Sequence, residues 1–165
     1  MNHKVVFEDK DALVFHIYSS LDNPTMLKVQ KSLYFLWAYY AGTYGSIDKF
    51  KDPEIDNNYP KSLFSAKFEA LMYGPLDHDV YLKQKEGFYS KNKWTSYQPK
   101  NSQETEVILF VNDLLEQINK VNDFGLINRV RDDISWKAAY DKGSGNLMNM
   151  DQVRQEYYYP NLKWK

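Results

Sequence analysis

The sequence contains no cysteine and no long hydrophobic run. Without thiols, the chain cannot form disulfide bonds, use thiol catalysis or hold zinc ribbons and iron–sulfur clusters. The longest apolar run, Leu33–Ala41, is too short to span a bilayer, and Met1–Lys10 lacks the pattern of a signal peptide. These absences predict a cytoplasmic protein that does not enter a membrane.

The sequence also lacks an excess of either sign of charge, because its 21 Lys and Arg residues nearly balance its 22 Asp and Glu residues and give a net charge of −1. The chain as a whole therefore has no electrostatic attraction to nucleic acid or to an anionic membrane. Aromatic residues are abundant, with 14 Tyr, 9 Phe and 4 Trp. Rings serve cores and interfaces equally well, and we expect most of them in the core of a single domain over residues 1–165.

The spacing of apolar residues predicts a mainly α-helical fold, an irregular bundle of six or seven helices. The second helix is apolar nearly all round, which indicates that it is buried at the centre. Its N-cap is either Asn23, followed by Pro24, or Thr25. The expected helices are Asp11–Leu21, Thr25–Ala41, Asp77–Glu86, Ser102–Val121, Phe124–Asp132, Ile134–Tyr140 and Met150–Tyr158.

Three segments between these helices lack a clear helical pattern. The polar residues 46–62 predict an exposed loop. Leu63–Tyr73 fits either a helix or a short strand before the Gly74-Pro75 break. Phe88–Lys100 is irregular and is the segment in which a small β-hairpin is an option.

Residues suited to catalysis, cofactor binding or metal binding are few, and we predict no such site and no enzymatic activity. The one cluster with metal-ligand chemistry, Asp77-His78-Asp79, opens a predicted helix, where aspartate is favoured as a cap. The carboxylate pairs Asp132-Asp133 and Glu54 with Asp56 lie in polar stretches, which predicts solvated surface rather than an acid–base pair. His16 falls within a helix stripe, where a surface or hydrogen-bonded position is expected.

The segment Lys83–Lys100 combines five lysines with only Glu86, a local charge of about +4, and interleaves them with four rings. Rings beside cations suit single-stranded nucleic acid. They equally suit a loop that packs its rings onto a neighbouring helix and leaves its lysines in water, which is the interpretation we favour.

Two stretches resemble one known family, the Panacea domain of SocA-like antitoxins. Residues 28–35, with Lys28, Lys31, Leu33 and Tyr34, are similar to its opening KLQKLLYF block. Residues 63–81 resemble its LF…FEAWxYGPVxxxVY block, through Leu63, Phe64, Phe68, Glu69, Tyr73, Gly74, Pro75, Val80 and Tyr81. A weaker match covers Asp132 to Ala138 and includes Trp136. Leu71 and Leu76 depart from the family's Trp and Val, and Val130 or Arg131 stands where a histidine is usual.

The resemblance implies an antitoxin that binds and neutralises a partner toxin inside a bacterial cell, encoded by a phage or another mobile element. Some relatives act as adaptors that deliver a toxin to a protease. An alternative on the same fold is a phage counter-defence protein, an anti-CRISPR-like inhibitor of a host immune nuclease. A third, less favoured function is binding of single-stranded nucleic acid. The oligomeric state is left open.

Two predictions concern contacts of particular side chains. Glu69 lies in an apolar run, so it is either exposed or paired with Lys28 or Lys31, which would join the two motif blocks. The partner-binding surface is predicted from aromatic and basic residues in loops and near the chain end: Phe88, Tyr89, Lys91, Lys93, Trp94, Tyr97, Arg131, Trp136, Tyr157, Tyr158 and Tyr159.

Overall fold

A long buried helix, α2 (Met26–Thr43), forms the centre of the fold in the computed structural model, which describes residues 5–46 and 59–158. Fourteen of its residues are buried, because other elements pack around it on nearly every side. Thr25 is its N-cap and accepts a hydrogen bond from the Lys28 backbone N–H at 3.0 Å, so the cap is the second of the two predicted residues. The predicted exposed loop 46–62 lies mostly outside the described residues.

Within the described residues the chain forms six further helices, and all seven begin and end within two residues of the predicted positions. Five of the six have an Asp or Asn cap that accepts a backbone hydrogen bond, and Asp77 and Asn149 are the caps expected for two of them. The fold is therefore mainly α-helical, as predicted. The six helices are α1 (Lys10–Ser20), α3 (His78–Lys85), α4 (Ser102–Asn119), α5 (Asp123–Arg131), α6 (Ile134–Asp141) and α7 (Met150–Glu156). Among the described residues, no helix combines the length and apolar character that crossing a membrane requires.

A small antiparallel hairpin, β1 (Phe68–Leu71) and β2 (Gly74–Asp77), leads directly into α3. Of the two structures predicted for Leu63–Tyr73, the short strand is present. Gly74 has a φ of +105°, a conformation that glycine adopts without strain as the chain turns back. The free edge of β1 is covered by residues 145–148, whose backbone groups bond to Phe68 and Ala70.

The prediction that Phe88–Lys100 is the segment that forms a small β-hairpin is wrong. The segment contains a single turn of 3₁₀ helix, Lys91–Lys93, and is otherwise irregular. The reason is local, because the indole N–H of Trp94 donates to the Tyr89 carbonyl at 2.8 Å and closes the segment around that turn.

The prediction that Asp132 and Asp133 form a solvated acidic pair is wrong, because the carboxylate of Asp133 is buried. Its side chain accepts hydrogen bonds from the hydroxyls of Tyr34 (2.6 Å) and Tyr157 (2.5 Å), and burial raises the pKa of both phenols. Glu156 takes over the capping of α6 by accepting from the backbone N–H groups of Ile134 and Ser135. Asp133 therefore joins α2, α6 and the end of α7 in the core, while its neighbour in the chain is exposed. The other predicted pair, at 54 and 56, lies outside the described residues.

Candidate protein-binding groove

An open groove of about 520 Å³ lies between the first turns of α2, the β1–β2 hairpin and α3. We call it the hairpin groove. Its exposed lining surface is mainly apolar, although five of the lining residues are polar or charged. The lining residues are Met26, Leu27, Gln30, Lys31, Glu69, Leu71, Tyr73, Gly74, Leu76, His78, Tyr81 and Gln84.

Several apolar side chains at the rim of the hairpin groove are exposed to solvent. Tyr73 in the hairpin turn is 59% exposed and Met26 at the start of α2 is 40% exposed. Met72, beside Tyr73 in the turn, is 51% exposed. Neighbouring exposed apolar residues of this kind mark contact surfaces more often than isolated ones do.

Lys31 has its side chain buried among the lining residues and is 2% exposed. Its ammonium donates to the Pro75 backbone carbonyl at 2.9 Å. Burial lowers the pKa of Lys31 to about 8, because the charged form loses hydration. The two motif blocks thus meet through a lysine, but at a backbone carbonyl rather than at Glu69.

Glu69 faces a different residue, since its Oε1 lies 3.1 Å from Nδ1 of His78, although this buried oxygen accepts no hydrogen bond within the described residues. The predicted pairing of Glu69 with Lys28 or Lys31 is therefore wrong. The ammonium of Lys28 instead donates to the Asn119 carbonyl at 3.3 Å, on the side of α4. The Glu69–His78 pair separates the hairpin groove from a more polar cleft of about 560 Å³, which Lys10 and Asp77 also line.

Asp77 lines the polar cleft and connects the hairpin, α3, α2 and the start of α1 by hydrogen bonds. One of its carboxylate oxygens accepts from the Val80 backbone N–H at 3.1 Å, and the other accepts from the Lys10 ammonium at 2.7 Å. Its backbone N–H and carbonyl both bond to the side chain of Gln30, which also donates to Gln84. The capping role predicted for Asp77 is confirmed. Across residues 5–46 and 59–158, His, Asp and Glu side chains form no group of three that could hold a metal ion.

The residues behind the family resemblance divide between this groove and the core beneath it. Lys31, Glu69, Tyr73, Gly74 and Tyr81 line the groove, although 27 residues (36–62) separate the two blocks in the sequence. The others are buried behind it: Lys28, Leu33, Tyr34, Phe68 and Pro75. Two positions that depart from the family pattern, Leu71 and Leu76, line the groove too.

None of the groove-lining residues belongs to the predicted partner-binding surface. Tyr73 and Tyr81 are predicted only as residues of the family motif, and the apolar residues Met26, Leu27, Leu71 and Leu76 are predicted as neither. The available signal was the period of two in β1, where Phe68 and Ala70 are buried and the alternate residues are half-buried. Because helical spacing fits Leu63–Tyr73 equally well, the faces of the hairpin could not be assigned from the sequence.

The residues predicted to bind a partner occupy three separate places. The ring of Tyr157 contacts Tyr34 in the core, and Tyr158 beside it is half-buried. The exposed guanidinium of Arg131 lies 5.4 Å from the ring of Trp136, whose N–H donates to the Leu71 carbonyl. The remaining described ones lie in the 88–97 segment: Phe88, Tyr89, Lys91, Lys93, Trp94 and Tyr97. Tyr159 lies outside the described residues.

The premise that these rings are available to a partner is wrong for Tyr89, Trp136 and Tyr157, which are 5%, 4% and 5% exposed. Each ring is held in the core by a hydrogen bond from its own polar atom, to Asp11, Leu71 and Asp133 respectively. A buried ring with a satisfied polar atom is part of the folded core.

The rings of the 88–97 segment pack onto α1 and the chain just before it. Trp94 stacks on Tyr18 with 5.0 Å between ring centroids, and Tyr97 meets Phe7 edge-on at 4.9 Å. Lys91 and Lys93 are exposed beside them. This arrangement is the one in which the loop packs its rings against a neighbouring helix and leaves its lysines in water.

Comparison with protein-family models, with curated proteins and with solved structures finds no match to this chain.

Proposed function

We propose that this protein binds another protein through the hairpin groove and acts as an antitoxin that neutralises a toxin by direct contact. The observation that carries the proposal is the convergence of two sequence blocks on one open apolar groove. Five of the residues that resemble the Panacea domain line that groove, so the resemblance and the contact surface overlap in one part of the molecule.

The surroundings of the groove also favour binding of a protein. Gln30 and Asp77 connect α2, the hairpin and α3 by hydrogen bonds, so the groove walls are held in place before a partner arrives. A preformed site loses little conformational entropy on binding. The rim residues Tyr73 and Met26 provide exposed apolar surface of the kind that interfaces bury at their centre.

The resemblance supplies the biological setting of the proposal. A toxin that acts inside a bacterial cell requires a cytoplasmic antitoxin, and the similar family is carried by phages and mobile elements. The toxin gene is then expected beside the gene for this protein. The proposal includes no catalytic step, because binding alone neutralises the toxin.

The test compares two substitutions of equally exposed apolar residues. Tyr73→Asp changes the groove rim, where the side chain is 59% exposed, and Leu109→Asp changes α4 outside the groove lining, where it is 60% exposed. Each variant is co-expressed with the neighbouring genes, and toxicity and complex formation are measured. We expect Tyr73→Asp to weaken the complex by roughly thirtyfold or more, the effect of losing a ring that anchors an interface, and Leu109→Asp to neutralise like the wild type.

Two results would contradict the proposal. One is full neutralisation by Tyr73→Asp with an unchanged complex affinity, which would remove the groove as the contact surface. The other is that no neighbouring gene is toxic while the protein improves phage survival against host immunity, which would replace the antitoxin with the counter-defence function. Thermal unfolding of both variants shows whether each is folded.

A further inference from the structure

We infer that the partner protein places an arginine beside Glu69, where the hairpin groove meets the polar cleft, and that its guanidinium pairs with the Glu69 carboxylate. The inference rests on the proposed function, because it names the side chain through which the partner is recognised at the same groove.

Glu69 has a carboxylate that the described part of the chain leaves without a hydrogen bond. Its Oε1 is buried and lies 3.1 Å from Nδ1 of His78, yet it accepts no hydrogen bond. The side chain as a whole is 29% exposed, and Oε2 is neither buried nor bonded within the described residues. A carboxylate that is shielded from water on one side is stabilised by a ligand that donates hydrogen bonds to it. Because Oε2 is open, such a donor can reach it.

Two leucines flank Glu69 on one face of the hairpin. Glu69 is opposite Leu76 in the β1–β2 register, and on the other edge of β1 it forms an antiparallel bridge with Leu147. Residues directly opposite each other on neighbouring strands place their side chains on the same face of a sheet. The three side chains therefore form a row with the carboxylate in the middle, and Leu147 at one end is 63% exposed. The row crosses from the polar cleft, which Leu147 lines, to the hairpin groove, which Leu76 lines.

A carboxylate between two leucines matches an arginine better than a lysine. The methylene stem of an arginine packs on apolar surface while its charged end stays at a polar group. The guanidinium is more weakly hydrated than an ammonium and holds its N–H donors in a fixed fork. One donor can therefore meet Oε2 of Glu69 while the others bond to nearby acceptors or water. Arginine is also enriched at protein interfaces, from which lysine is depleted.

The polar cleft beside this row has an excess of negative charge. Lys10 pairs with Asp77 at 2.7 Å, so these two charges offset each other. Apart from His78, the remaining charged residues of the lining are three carboxylates and one lysine: Glu8, Glu69, Asp79 and Lys67. The cleft therefore attracts a basic side chain and repels an acidic one.

The positive groups near Glu69 leave its charge unpaired. Lys31 in the hairpin groove is 2% exposed, and its ammonium donates to the Pro75 carbonyl at 2.9 Å. His78 supplies a positive charge only when it is protonated. Within residues 5–46 and 59–158, no lysine or arginine forms an ion pair with Glu69. The cation that pairs with Glu69 is therefore expected from the partner.

The experiment titrates synthetic peptides into the isotope-labelled full chain and follows backbone amide shifts by NMR, at about pH 7.5, where an ordinary histidine is neutral. The peptides are acetylated and amidated and differ at one position, which is arginine, lysine or the neutral isostere citrulline between pairs of leucines. We expect the arginine peptide to bind roughly tenfold more tightly than the citrulline peptide, the effect of one charge-assisted hydrogen bond. The lysine peptide should bind more weakly than the arginine peptide. The shifted amides should include those of Glu69 and Leu147.

Two isosteric substitutions provide the variant and its control. Glu69→Gln removes the carboxylate of the row, and Glu116→Gln removes a 72% exposed carboxylate on α4 that lines neither cleft. The preference for arginine over citrulline should fall to about one in Glu69→Gln, where only apolar contacts remain, and persist in Glu116→Gln. The amide spectra of the free variants show that both are folded.

Four results would overturn the inference: no peptide binds, the wild type does not prefer arginine over citrulline, lysine binds as tightly as arginine, or the preference survives in Glu69→Gln. Loss of the preference in Glu116→Gln as well would also overturn it, because the effect would then come from the total charge of the chain. If any of these results occurs while Tyr73→Asp still abolishes neutralisation, the groove remains the contact surface and only the arginine is rejected.

Discussion

The 88–97 segment and the hairpin groove differ in how they use similar residues. The segment has rings and lysines in a loop, which suggests an interface, yet Tyr89 and Trp94 pack onto α1. The sequence pattern of the groove residues predicts a structural motif and not an interface. In the structure, however, two of these residues, Tyr73 and Met26, are exposed. Residue type is similar in the two regions, and the neighbouring helix makes the difference.

This comparison shows why a count of aromatic residues does not locate a binding surface. A ring in a loop becomes part of the core when an apolar face lies within reach and its polar atom finds a partner. In the 88–97 segment both conditions are met, since the Trp94 indole donates to a backbone carbonyl and its face covers Tyr18. At the hairpin turn neither α3 nor α2 covers Tyr73, so that ring remains available.

The largest expected effect is the loss of stability on truncating a ring of the 88–97 segment. Trp94→Ala removes the stacking on Tyr18 and the bond that closes the 3₁₀ turn, so we expect the free energy of unfolding to fall by about 3 kcal/mol. Tyr73→Ala removes an exposed ring, and we expect a change within about 0.5 kcal/mol. Urea unfolding followed by circular dichroism measures both. Equal losses in the two variants would contradict the distinction between the regions.

The helices were predictable from the sequence because their signals are local. Apolar spacing and caps such as Asp77 and Asn149 act within one or two turns, and every helix is found where they place it. The hairpin was less predictable, because a four-residue strand with Phe68 and Leu71 satisfies helical spacing equally well.

The site was hardly predictable, because it depends on contacts distant in the sequence. The hydrogen-bond partners of Asp133 are tyrosines on α2 and just after α7. The partner of Lys31 is a backbone carbonyl 44 positions away in the sequence. A pattern that places charged residues in a polar stretch does not indicate that a distant element will bury one of them. The same limit applies to Glu69, whose pairing with His78 joins β1 to α3.

The second-largest expected effect concerns Lys31, a buried residue that lines the hairpin groove. Lys31→Met removes an incompletely paired buried charge, so we expect the free energy of unfolding at pH 7 to rise by about 1–2 kcal/mol. In the wild type the folded lysine loses its proton near a pKa of about 8 and the unfolded one near 10.5. The unfolded state then binds more protons between these values, so wild-type stability from this group rises with pH. The advantage of the variant should therefore shrink toward about pH 9.5. A variant less stable than the wild type would show that Lys31 is adequately solvated or paired.

The smallest effect concerns His16, which connects the 88–97 segment to α1 and α4. Its Nδ1 accepts from the Tyr97 backbone N–H at 2.9 Å, so the proton lies on Nε2, which donates to Asn112 at 2.7 Å. Burial lowers the pKa of His16 below 6.5, and the bond to Asn112 offsets this in part. The unfolded chain therefore takes up a proton first as the pH falls, and the stability contributed by neutral His16 is present above pH 6.5 and lost below it. Unfolding at about pH 7.5 and about pH 5.5 should show a larger loss for the wild type than for His16→Gln, which does not titrate. An equal loss of stability in both proteins would mean that protonation of His16 does not release the 88–97 segment. A larger loss in the wild type would identify His16 as the contact through which acid loosens this segment from the core.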